Sequence, residues 1–162
     1  MSVGVRTLVG GAVGWVVPIA SRVVIQSRYT QHGLGGALAS AASDMFRPGY
    51  NLFLVGLLNA VPFVLVMALS QGARRALPRV YGDPGHRILV ALLYSVLFLG
   101  TALISAAVWR DVYGPGRASS TAVIALVIVP IYATVAACGV YLAGIVLIAV
   151  LQGTAGKKAT RT

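Results

Sequence analysis

Chemistry at a protein site needs ionisable or nucleophilic side chains brought together, and this sequence holds few of them. Its histidines are His32 and His86, its one cysteine is Cys138, and its carboxylates are Asp44, Asp83 and Asp111. A lone cysteine in an apolar run builds neither a disulfide framework nor a thiolate metal site within one chain, and serves best as a small buried hydrophobe. Asp83 and His86 in "GDPGHR" would bind a proton or a metal ion weakly, but the Pro and Gly around them read as a solvated turn. The chain has no Walker A loop, GxSxG, HExxH or CxxC. We expect no cofactor, no catalytic residue and no metal site, and do not read the chain as an enzyme.

What remains is weakly polar or basic. Arg22 stands inside an apolar run, where a guanidinium either snorkels to the interface or acts as a buried charge paired with Asp44 or Asp111. A fixed pair would pin the outer loops to the rest of the chain or offer a site for an anionic headgroup. Gly10 and Gly14 have the small-xxx-small spacing that lets two helix backbones approach closely. Thr134, Ala137, Cys138, Tyr141 and Gly144 share one helical face, suited to helix packing with an interhelical hydrogen bond or to a partner helix. Tyr94, Thr101 and Ser105 line up similarly. With Asn59, beside the kinkable Pro62, they would line a narrow polar pathway or a headgroup pocket; plain packing is the simpler reading. Arg74, Arg75, Arg79 and Arg87 flank apolar runs, where they would meet anionic lipid.

The elements that must hold these residues follow from composition. Of 162 residues, 58% are hydrophobic and 10% charged, too few to cover a water-exposed globule. A formal charge of +10 would suggest nucleic acid in a soluble protein. Here the Arg residues sit at the ends of apolar runs, so no nucleic-acid partner is expected. A spanning helix needs about 20 apolar residues. Residues 88–109, bracketed by Arg87 and Arg110, meet this most plainly, and 51–71, ending before Arg74 and Arg75, come next. Residues 7–27 also suffice and are read as a retained span, although a short leader, an apolar stretch and "PIAS" could also describe a cleaved secretory signal.

Residues 121–151 carry no charge and one Pro, Pro130. Two spans would need at least about 35 residues and a polar turn, so one helix is predicted. At about 46 Å it exceeds the hydrocarbon core and must tilt, bend at Pro130 or project past it. The fold expected is therefore an all-α, single-domain bundle of four transmembrane helices with a basic tail at 153–162. In the first loop, Leu34, Leu38, Ala41 and Met45 recur at helical spacing, predicting a short amphipathic helix over 33–46. The middle loop "LPRVYGDPGHR" is assigned no fold of its own.

With four spans, both tails and the middle loop share one side. It holds Arg6, Arg74, Arg75, Arg79, Arg87, Lys157, Lys158 and Arg161, eight cations against five opposite: Arg22, Arg28, Arg47, Arg110 and Arg117. The positive-inside rule then puts both termini in the cytoplasm, of a bacterial or archaeal plasma membrane. No span contains a histidine to ligate haem, and none contains an acid to carry protons. Two functions fit: a non-catalytic structural or assembly subunit of a larger membrane complex, or a small homo-oligomeric transporter or channel.

Overall fold

The computed structural model describes residues 3–31, 33–48, 51–115 and 122–159, with side chains between residues 5 and 153 except those of Arg6 and Ala122. His32, Tyr50, Arg117 and Arg161 lie outside the described residues, as do the side chains of Arg6, Lys157 and Lys158. The chain is all-α. In order it forms α1 (Val3–Tyr29), α2 (Gly33–Ser43), α3 (Leu52–Ala76), α4 (Pro78–Gly82), α5 (Pro84–Tyr113) and α6 (Ala122–Ala159). Four of these, α1, α3, α5 and α6, are long and apolar enough to cross a membrane. Helices suit that role because every backbone N–H and C=O must be satisfied internally in hydrocarbon. With Leu8, Val96, Leu103 and Tyr132 each at least 67% exposed, the outer face is one that water would not tolerate and lipid would. The chain is an integral membrane protein.

The spans stand in a ring in the order α1, α3, α6, α5. α1 and α6 each pack against both α3 and α5, and α3 and α5 touch across the centre. Residues 122–151 thus fall in one helix, α6, which is 38 residues long and runs through Pro130, while Thr121 lies outside the described residues. The helices reach beyond the predicted spans, to Ala76 in α3 and from Pro84 to Tyr113 in α5, and caps define two of their starts. Asn51 accepts a bond from the Leu54 N–H at 3.0 Å to start α3, and Asp83 accepts from the Gly85 N–H at 2.7 Å, with Pro84 at the first position, to start α5.

Two apolar clusters fill the ring. One, at the end carrying both termini, includes Phe63, Val66, Leu93, Leu97, Tyr141 and Ile145. The other, at the opposite end, includes Val23, Ala37, Ala41, Leu52, Trp109 and Leu126. On α3 they are separated by the stretch from Gly56 to Pro62, where contacts are closest. A Cβ on Gly14 would lie 2.7 Å from the Asn59 carbonyl oxygen and 2.8 Å from the Ala60 Cα. Only a glycine lets α1 and α3 meet there. Since lipid tails are as apolar as the core, such close packing and interhelical hydrogen bonds, not exclusion from water, hold spans together.

Two sequence expectations about the loops need correction. The helix in the first loop ends at Ser43, short of 46. Ala37 and Ala41 are buried, whereas Leu34 and Leu38 are 59% and 53% exposed. Alanine methyls let the α2 backbone lie close on α1, leaving the larger leucines on the outer surface. The middle loop has its own short helix, α4, begun by Pro78 and tied in by buried Val80.

Candidate functional site

At the end away from the termini, Arg22 is drawn into the bundle and its side chain is 1% exposed. Its Nη2 donates to Asp44 Oδ2 at 2.5 Å and to Ser40 Oγ at 3.2 Å, and its Nε donates to the Tyr113 hydroxyl at 2.9 Å. The guanidinium also lies 5.7 Å from the centre of the Trp109 ring. One cation therefore joins α1, α2 and α5. Asp44 does the same for the backbone, since its carbonyl accepts the Leu52 N–H at 3.1 Å and the next carbonyl, of Met45, accepts that of Phe53 at 3.1 Å. These are the orphan donors at the start of α3. Asp111, the other acid considered for Arg22, is exposed. Asp44 wins because α2 lies against α1 and brings it one helix turn past Ser40.

Inside the spans, polar side chains serve carbonyls. Pro130 has no N–H, which orphans the Leu126 carbonyl four residues earlier. Asn59 Nδ2 donates to that carbonyl across the α3–α6 contact at 3.2 Å, and to the Val55 carbonyl at 2.8 Å. The Tyr94 hydroxyl donates to the Phe63 carbonyl at 2.8 Å, and Trp109 Nε1 to the Pro18 carbonyl at 2.9 Å. Thr134 Oγ1 turns back on the Pro130 carbonyl at 2.7 Å.

The polar residues grouped from the sequence do not form one line. Asn59 and Thr101 border an apolar cavity of about 240 Å³ between α3, α5 and α6. Tyr94 borders different spaces, described below, and Ser105 is buried near the far end of α5. The glycine and small-residue faces meet helices of this same chain. Gly10 faces the Tyr94 hydroxyl, Gly144 faces Leu89, and Tyr141 is fully buried, with Cys138 half-buried beside it.

At the termini end, α3, α4 and α5 border a half-open cavity of about 750 Å³, lined by Met67, Ser70, Gln71, Arg74, Tyr81, Gly82, His86, Arg87, Val90, Ala91 and Tyr94. The Arg74 guanidinium rests 5.9 Å from the Tyr81 ring. Gln71 is anchored to α1 through a 2.8 Å bond from its Nε2 to Thr7 Oγ1. Arg75 and Arg79 are exposed and do not line this cavity. His86 is the largest departure from the sequence reading. It is 3% exposed, its Nε2 3.0 Å from the Tyr141 hydroxyl. A helix begun at Pro84 places His86 in its first turn, on the same stripe as Val90, Leu93 and Leu97, so the Asp-Pro start signal contained the clue. Asp83 remains outside. The Gln152 amide, 2.8 Å away, and then the Gly85 N–H hold its carboxyl below the ordinary aspartate range. Its charge is thereby directed to the end of α6. Among the described residues no carboxylate lines the cavity, and no cluster of His, Cys, Asp or Glu suited to a metal occurs.

Compared with known proteins, the chain matches no protein-family model, no curated protein and no solved structure.

Proposed function

We propose that this integral membrane protein is a non-catalytic structural or assembly subunit of a larger membrane complex. The observation that carries this reading is how the polar groups within the spans are spent. Asn59 and Tyr94 each donate to a carbonyl of a neighbouring helix. A transport pathway would need such groups turned toward a common space. Asn59 and Tyr94 border different cavities, so a homo-oligomeric transporter or channel has less support. The apolar outer faces of α5 and α6, with Leu103, Val135 and Val146 each at least 62% exposed, leave a broad surface for lipid or for a neighbouring subunit.

The orientation with both termini cytoplasmic belongs to the same proposal. Arg22 is bound to Asp44 inside the bundle, which removes it from the free cations of the opposite side and sharpens the asymmetry on which the rule acts. Native mass spectrometry of the chain extracted from its own membrane in a gentle detergent tests the subunit reading. Other polypeptides at a fixed ratio are expected. A clean homo-oligomer or a bare monomer would refute it. A C-terminal tag open to protease from outside intact cells would reverse the orientation.

A further inference from the structure

We propose that the termini end of the bundle holds one anionic phospholipid, its phosphate between Arg74 and Arg87 and an acyl chain in the groove that rises beside Gly10. The head chamber is the 750 Å³ cavity. Arg74 and Arg87 line it from different helices, Gln71 and Tyr81 add neutral polar groups, and among the described residues no carboxylate lines it. Guanidiniums together with neutral donors suit a phosphate group. A second, apolar space of about 430 Å³ runs on from it between α1, α3 and α5. The two have Met67 and Tyr94 in common as lining, so the apolar space lies next to the chamber. Along α5 the site extends from Arg87 to Phe98, about 16 Å at about 1.5 Å per residue. That is the depth of one leaflet of a hydrocarbon core about 30 Å thick. A free phosphate would occupy only the charged chamber, whereas a lipid accounts for both parts. The inference stands apart from the subunit reading, since a chain isolated as a monomer would still retain the lipid.

The full chain in mixed detergent micelles with equal phosphatidylglycerol and phosphatidylcholine of the same acyl chains, read by native mass spectrometry, tests this. Wild type is expected to keep one phosphatidylglycerol in preference to phosphatidylcholine. Arg74→Gln/Arg87→Gln should reduce that preference about tenfold or more, the scale of losing charge-assisted hydrogen bonds. Arg75→Gln/Arg79→Gln, with the same loss of charge outside the cavity, should leave it unchanged. Ser95→Phe, which fills the apolar groove, should lower retention of both lipids. Equal retention of the two lipids by wild type would overturn the proposal, as would an equal loss in the Arg75/Arg79 variant. If inorganic phosphate displaces the lipid while Ser95→Phe leaves retention unaltered, the site is one for free phosphate and the lipid assignment fails. Helical circular dichroism checks folding, and Arg87→Gln alone, at an exposed position, decides the matter if the double variant unfolds.

Discussion

Replacing Asp44 by Asn keeps the size of the side chain but removes the charge that faces a buried guanidinium. Breaking a buried ion pair by neutralising one partner costs about 3–5 kcal/mol, because the other charge is left uncompensated. Here Tyr113 and Ser40 still accept from Arg22, and the Asp44 side chain is 13% exposed. The loss should therefore fall at the lower end, about 3 kcal/mol. Arg22→Met/Asp44→Leu, with both charges gone, should recover to within about 1 kcal/mol of wild type. Arg47→Ala removes only an exposed partner of Asp44, 66% exposed and 3.3 Å away, and should cost less than about 0.5 kcal/mol. Reversible titration of the detergent-solubilised chain with sodium dodecyl sulfate, followed by circular dichroism, measures the free energies. Tryptophan fluorescence adds a local signal, since Trp109 stacks near Tyr113 at 6.1 Å and beside Arg22. If Asp44→Asn lies within about 0.5 kcal/mol of wild type, or the double variant loses the sum of the singles, the pair does not hold this end together.

Gly14→Ala places a methyl against backbone atoms of α3 and should destabilise by about 1–3 kcal/mol, whereas Gly139→Ala, with open space around its Cβ, should be neutral or slightly stabilising in the same titration. Asn59→Leu should cost about 1 kcal/mol. In a Pro130→Ala background the Leu126 carbonyl regains a partner from residue 130, so the same substitution should cost measurably less; equal costs in the two backgrounds would show that Asn59 does not serve that carbonyl.

Much of the frame was legible because it rests on length and apolarity. The four spans are local properties of 20-residue stretches, and a hydrocarbon environment leaves the backbone no alternative to helix. The absence of a polar turn between Thr121 and Leu151 was enough to predict one helix there. Arg22 was visible as the costly residue, since a guanidinium in an apolar run needs an account wherever it lies. The surfaces that side chains meet were less legible. Residues 33–46 have two overlapping apolar stripes, and choosing Ala37/Ala41 over Leu34/Leu38 for burial depends on how near α1 can come. His86 was read as part of a solvated turn because the span was started at its first strongly apolar residue, five positions after the Asp83 cap.

By itself the sequence determined an all-α membrane protein, the number of its spans and which residues had to be explained, because these depend on composition and periodicity along the chain. Only the tertiary structure decided what each of those residues meets. It chose Asp44 over Asp111 for Arg22, matched Asn59 on α3 to the carbonyl that Pro130 orphans on α6, and set the chamber lined by Arg74 and Arg87 beside an apolar groove. Such pairings lie up to 91 residues apart in the chain. They follow from the ring order of the helices, which hydropathy does not encode, since lipid-facing and core-facing residues are equally apolar.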